Sequence, residues 1–377
     1  MNTTAKTVLI SGSSVAGTAL AYWLREQGLT PVVVERAPAL RRGGQAVDVR
    51  GAALTVLRRM GLEPDARALK NESKGMNVLD PEGNELMRSE EFALSSGALD
   101  SEDIEILRED LVDLVHAKLD GVEYLYGDSI TAIRDEDDGV TVEFEHADAR
   151  RFDLVVGADG LHSNTRRIAF GPEADYIHHL GTYLSVFSQD NFLGLDRWQT
   201  WFNDGVNGGA VMTVRDNREL RIFLGFGAGP IEYDYRDTEA QKALVAEHLA
   251  GFGWKVPEFL ERMRTADDFY FDSMAQIKMD AWSAGRTVLL GDAAHCAAPL
   301  SGQGTSLALV GAYVLAFELG RTDDHALAFA RYERRMRPFA EANQELAHID
   351  RQKVDPDEST RRLDAVKNAI DLDALVE

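Results

Sequence analysis

The chain has 377 residues, 45% of them hydrophobic and 27% charged, and a formal net charge of −23. The length suits roughly two domains of about 100–200 residues each, and the composition is that of an ordinary globular protein. Such acidity excludes a nucleic-acid partner, no apolar run approaches the ~20 residues of a membrane span, and the single cysteine, Cys296, forbids an internal disulfide.

Thr7-Val-Leu-Ile10 reads as a short buried strand, too short for the apolar core of a signal peptide. A cytoplasmic location is expected. A helix follows over 19–27 with Gly28 at its end, then a second strand, Pro31-Val-Val-Val-Glu35. This βαβ unit predicts a parallel sheet with helices on its faces. Residues 52–60 and 109–119 read as helices. Residues 74–99 are strand-like around a turn at Asp80-Pro-Glu-Gly83, and 122–146 read as an antiparallel hairpin or meander around Asp137-Asp-Gly139. Phe152–Gly157 is again a buried strand.

Aromatic residues then crowd in between 175 and 272, predicting a second sheet with one helix near 238–250. Most of these rings fill a core. Trp198, Trp201, Phe202 and Phe223, with Pro299, are expected to line a pocket for a flat apolar substrate. Residues 286–290 return to a buried strand, 305–319 form an apolar helix and 324–348 an amphipathic one. The last 25 or so residues read as a loosely docked helix. The predicted fold is α/β. Residues 1–73, 100–173 and 273–320 form a Rossmann-like cofactor-binding domain. Residues 74–99 and 174–272 form a mostly antiparallel substrate domain, and 321–377 form C-terminal helices.

Three motifs carry chemistry. Gly12-Ser-Ser-Val-Ala-Gly17 lies between strand and helix, near the pattern G-x-G-x-x-G, with Ser14 in place of the middle glycine. Such a turn brings backbone N–H groups and a helix N-terminus to a pyrophosphate. Glu35 is placed to accept from a ribose, which favours FAD or NAD over NADP. The second motif runs from Asp153 through Gly157-Ala-Asp-Gly160 to Ser163 and Arg166. The third is Gly291-Asp-Ala-Ala-His-Cys-Ala-Ala-Pro-Leu-Ser-Gly-Gln-Gly304. There Asp292 can reach a polyol hydroxyl and Pro299 fixes the loop. The segment Gly302-Gln303-Gly304 opens a helix N-terminus that suits developing negative charge. His295 reads as a hydrogen-bonded packing residue and Cys296 as a small packing residue. No metal site is expected.

In order and separation these motifs resemble the single-component FAD-dependent aromatic monooxygenases, the p-hydroxybenzoate hydroxylase family, over nearly the whole chain. By length the chain is similar to short members, including tetracycline-inactivating and quinolone- or polyketide-hydroxylating enzymes. The resemblance implies that Gly12, Ser14 and Gly17 face the FAD pyrophosphate, Glu35 the adenosine ribose and Arg36 the adenine. It puts Arg108 on the FAD, and Gly44, Gln45 and Asp48 in a loop bordering flavin and substrate. Asp159 would serve both FAD and NAD(P)H, Asp292 the ribityl chain, and Pro299 with Gly302–Gly304 the isoalloxazine ring. Ser306 and Gly311 stand where Asn and Asp are common, which implies altered polar contacts near the flavin.

The implied reaction uses NAD(P)H as a transient co-substrate and O2. A flavin C4a-hydroperoxide delivers one oxygen atom to an aromatic or polycyclic substrate, and no protein residue is required as a nucleophile. A monomer or weak dimer is expected. Three rival readings remain. A halogenase or reductase could use the same scaffold, although Trp198-Gln-Thr-Trp201 has the wrong spacing for the halogenase W-x-W-x-I-P segment. A plain NAD-dependent dehydrogenase leaves the two later motifs idle. The third rival is a flavin-binding protein without activity.

Overall fold

The computed structural model describes residues 6–95, 97–348 and 356–375. One sheet has six strands in the order Ser283–Ala284, Thr287–Leu289, Leu154–Gly157, Thr7–Ser11, Thr30–Glu35 and Glu123–Tyr126. Every neighbouring pair is parallel except the outermost, Ser283–Ala284 with Thr287–Leu289. Its central strands are buried on both faces, which is why they read as unbroken apolar runs rather than alternating ones. Val8, Ile10 and Val33 pack towards helices Val15–Glu26 and Gly304–Gly320. Leu9, Val32 and Val34 pack instead against the three-stranded antiparallel sheet of Ile130–Glu136, Gly139–Phe144 and Arg150–Phe152.

The expected unit over 122–146 is therefore split. Glu123–Tyr126 joins the parallel sheet beside Thr30–Glu35, and only the part around Asp137-Asp-Gly139 forms the hairpin. Helix Gly304–Gly320 is apolar on nearly all sides because it lies between the sheet, helix Val15–Glu26 and helix His325–Glu345. A β-carbon at Gly311 would stand 2.9 Å from Leu290 Cδ1. That glycine is thus accounted for by close packing of helix on strand end.

The second sheet has seven strands in the order Tyr270–Ile277, Ile177–Asp190, Glu219–Gly227, Gly208–Val214, Trp198–Asn203, Gly75–Leu79 and Glu85–Ser89. All pairs are antiparallel except Trp198–Asn203 with Gly75–Leu79. Two helices, Thr238–His248 and Val256–Met263, cover one face through Val245, Phe259 and Met263. Only the first of these was expected. Strand Tyr270–Ile277 pairs with Ile177–Asp190 on both sides of the 272/273 boundary drawn from the sequence, so it belongs wholly to this sheet.

The C-terminal segment is more tightly held than expected. Helix Pro356–Lys367 leads to Leu372 and Leu375, both buried in the main core. Arg59 donates to the Leu372 carbonyl at 3.2 Å, and Lys367 pairs with Asp103 at 2.9 Å. Among the described residues no helix is long and apolar enough to cross a membrane.

Candidate functional site

The Gly12–Gly17 turn is closed by its glycines. Gly12 has φ +102°, and a β-carbon there would lie 2.5 Å from the Ala158 carbonyl oxygen. A β-carbon on Gly17 would lie 1.9 Å from the Gly12 carbonyl oxygen. Ser14 needs no such freedom: at φ −84° it caps helix Val15–Glu26 by position, without a side-chain capping bond. No acidic residue stands in that helix's first turn, so its positive end is left for an anion. Ser13 N–H and Oγ–H donate to Glu35 Oε2 at 2.9 and 2.8 Å, and Ala37 N–H donates to Oε1 at 2.8 Å. Glu35 thereby ties the turn to the end of its strand. Arg36 is exposed.

The other two motifs lock onto this turn. Asp159 accepts from Ser11 Oγ at 3.2 Å, from Thr165 N and Oγ1 at 2.9 and 2.8 Å, and from Ser163 Oγ. Its work within the protein is to shape the Asp-Gly loop. Arg166 is fully buried and reaches the Ala293 carbonyl at 3.0 Å, joining the second motif to the third. A β-carbon at Gly291 would lie 3.1 Å from Ala16 Cβ, which closes the circle back to the first helix.

In the third motif Asp292 is solvent-exposed, yet desolvation by surrounding protein raises its carboxyl pKa. Asp292 therefore lies at an opening flanked by protein. Asp292 Oδ1 stands 3.8 Å from where a β-carbon on Gly304 would be. Gly302, at φ +67°, ends the short turn Pro299–Ser301, and Gln303 then opens helix Gly304–Gly320. This helix too begins with no side-chain cap and no acid in its first turn. The Gln303 side chain is fully buried, and neither of its amide atoms has a hydrogen-bond partner among the described residues. Pro299 is exposed at the rim.

The loop before Asp48 is held by two arginines. Arg108 donates from Nη2 to the carbonyls of Arg41 and Gly43 at 2.9 and 2.6 Å, and its backbone N–H to that of Gln45 at 3.2 Å. Desolvation, helped by the charge of Arg41, lowers its pKa to about 10. A β-carbon on Gly44 would meet Arg108 Nε at 2.9 Å. Arg221 donates to the Gly44 carbonyl at 3.1 Å. Asp48 pairs with Arg50 at 2.8 Å. Burial raises Asp48 to about 7 despite this cation, and Glu105, its partner across the ladder to Ile104–Leu107, adds to the rise. Ser306 Oγ accepts from Arg50 N–H at 3.1 Å, so it anchors the helix start to the Asp48 strand. Arg50 and Arg221 were missed in the sequence. The only trace of Arg50 there is its place two residues after Asp48.

The four aromatic candidates divide between two faces. Trp201, Ala210, Phe223, Val186 and Tyr270 form one row across five strands. Trp201 and Phe223 are half-buried on this face, which Arg221 links to Gly44. Phe202 is a correction: with side chains alternating along a strand, it points to the other face and packs against Phe252, Trp254 and Phe259. Trp198 shares its parity and sits near the sheet edge, donating to Asn77 at 3.0 Å beneath the Arg88 guanidinium. His295 is buried against Trp282 as a packing residue, but its ring nitrogens lack the expected hydrogen bonds. Burial lowers its pKa to about 4.

The donor set fits a dinucleotide. Two uncapped helix starts face the converging motifs, and buried Gln303, Arg50 Nε and Asp48 Oδ1 lack partners among the described residues. Buried polar groups left unpaired are costly unless something completes them.

Comparisons with known proteins agree. Residues 5–347 match the model of a family described as FAD binding domain. An uncharacterized protein of Mycobacterium tuberculosis is 52% identical over 341 residues, covering 90% of this chain and 92% of its own. A flavin-dependent monooxygenase from an unknown prokaryotic organism is 40% identical over 342 residues, covering 90% and 88%. The crystal structure of tetracycline destructase Tet(51) superposes with a TM-score of 0.88 at 34% identity, covering 98% of this chain and 99% of that one. The chain belongs to the FAD-binding-domain family of flavin-dependent monooxygenases, and FAD is its cofactor.

Proposed function

We propose that this enzyme consumes a reduced nicotinamide and O2 and inserts one oxygen atom into a flat aromatic or polycyclic substrate. The observation that carries the reading is the start of helix Gly304–Gly320. Its N-terminus is uncapped, the buried Gln303 amide is unpartnered, and Asp292 stands beside it. The likeness to a tetracycline destructase supports a polycyclic substrate of that kind.

Bound FAD supplies the redox chemistry. The chain's own residues would hold it as follows. Gly12, Ser14 and Gly17 offer backbone to the pyrophosphate, with Glu35 towards the adenosine ribose and Arg36 towards the adenine. Asp292 takes the ribityl hydroxyls. Gly302, Gln303, Gly304 and Pro299 border the ring, where the helix dipole favours negative charge. Gly44, Gln45, Asp48 and Arg108 close the opposite side. Asp159 acts by shaping the loop that faces FAD and the nicotinamide. Trp201 and Phe223 offer an apolar wall to the substrate and exclude water there.

Purified protein should carry flavin absorbance. Its oxidation of NADH or NADPH in air should rise with a member of a panel of tetracyclines, quinolones and phenols, and the product should gain one oxygen atom by mass. Colourless protein that no added FAD reconstitutes would refute the reading. So would nicotinamide oxidation indifferent to the whole panel, without an oxygenated product.

A further inference from the structure

We propose that Tyr270, Asp272, His162 and Glu173 form a proton route between the cleft faced by Trp201 and Phe223 and solvent. The need for one follows from the reaction proposed above, on which this inference rests. A substrate C–H bond, O2, NAD(P)H and one proton yield C–OH, water and NAD(P)+. Two electrons leave the nicotinamide as hydride, and one oxygen atom enters the C–H bond. The other leaves as water, which takes one proton from solvent in each turnover. A cleft that excludes bulk water must still admit that proton.

From Tyr270 outward the hydrogen bonds are continuous. Tyr270 lies in the row that contains Trp201 and Phe223, on the face towards the cleft. The Arg41 guanidinium, from the loop that also carries Gly43 and Gly44, is 5.9 Å from its ring centre. The Tyr270 hydroxyl donates to Asp272 Oδ2 at 3.0 Å. Asp272 Oδ1 is 3.0 Å from His162 Nε2, and His162 Nδ1 is 2.9 Å from Glu173 Oε1. Side-chain exposure rises outward, from 12% at Asp272 to 27% at His162 and 32% at Glu173.

Each group can both give and take a proton: the phenol at one oxygen, the carboxylates through their two oxygens, the imidazole through its two nitrogens. Conduction needs this property. A plain ion-pair clamp would need only His162 and its two carboxylates, without a phenol leading into the cleft. The charged and titratable neighbours are Arg166, which pairs with Glu173 at 2.9 Å, and Tyr233, whose hydroxyl donates to Asp272 Oδ1 at 3.0 Å. The Tyr235 ring stacks on His162. Burial disfavours the imidazolium, but hydrogen bonds to Asp272 and Glu173 outweigh it and raise His162 to about 10. His162 therefore holds a proton at neutral pH, between two carboxylates.

The test reads proton movement directly. In protein labelled at tyrosine, with and without FAD, the exchange of the Tyr270 hydroxyl proton with water is measured by NMR. His162→Gln retains a polar side chain but cannot conduct, and should slow exchange at least tenfold. Tyr233→Phe removes a side branch and should leave exchange within twofold of the wild type. In the loaded enzyme His162→Gln should also raise the solvent deuterium isotope effect on turnover, and added imidazole should restore the rate in His162→Gly. Melting curves establish that each variant is folded, and Asp272→Asn provides a second break in the route. Unchanged exchange in folded His162→Gln and Asp272→Asn would overturn the route. A wild-type flavin that no nicotinamide reduces would sink the proposed function instead, while the exchange measurement would still decide the route.

Discussion

Arg50 Nη2 stands 2.8 Å from Asp48 Oδ2, and the Arg50 guanidinium carbon lies 3.8 Å from where a β-carbon on Gly302 would be. One buried ion pair thus supports the turn that precedes helix Gly304–Gly320. Removing one member of a buried pair typically costs about 3–5 kcal/mol. Arg50→Met is expected to cost that much at pH 8, measured by urea unfolding. The loss should shrink at pH 5, where an isolated Asp48 can take up a proton.

Asp48 also makes stability depend on pH. Its folded pKa, about 7, lies above the ordinary 3.8. The folded state therefore binds this proton more tightly than the unfolded state. The resulting stabilisation is complete below the unfolded value and is lost as pH rises through about 7. Asp48→Asn should flatten the decline in melting temperature between pH 4 and pH 7. An unchanged slope would remove Asp48 as its source.

Ser14 and Gly17 should respond in opposite ways. Ser14 makes no side-chain capping bond and has an ordinary φ, so Ser14→Ala should change stability by less than about 0.5 kcal/mol. Gly17→Ala places a methyl group against the Gly12 carbonyl, and should reduce retained flavin at least tenfold. Thermal melts and flavin absorbance of the purified variants measure both.

Phe202→Ala should cost about 3–5 kcal/mol of stability, because it empties a fully buried site in the second core. KM for the aromatic substrate should stay within twofold of the wild type. Trp201→Ala should do the reverse, raising KM at least fivefold with a smaller loss of stability. Equal KM effects for the two would contradict the assignment of faces.

What was legible in the sequence was local. The tight turn at Gly12 and Gly17 is legible because such a turn is fixed by its own few residues. The parallel sheet was legible because strands buried on both faces are uniformly apolar. Trp198 and Phe202 were misassigned because composition does not reveal which parity of a strand faces which layer. The pairing of His162 with Asp272 spans 110 positions, and Arg221 reaches a carbonyl 177 positions away. No local pattern marks such meetings. Ser14 looked like a flaw in a fingerprint, and only its backbone angles show that no glycine is needed there.

The convergence of the three motifs has a consequence for biosynthesis. The turn at Gly12 leaves the ribosome first, but its neighbours Ala158 and Gly291 arrive far later, and strand Thr287–Leu289 is needed to extend the parallel sheet. The nascent chain therefore brings its three motifs together only after it has been made through Gly304. Until then apolar strands such as Val32-Val-Val34 wait without their full cover, so cellular FAD supply and chaperone capacity should govern yield together.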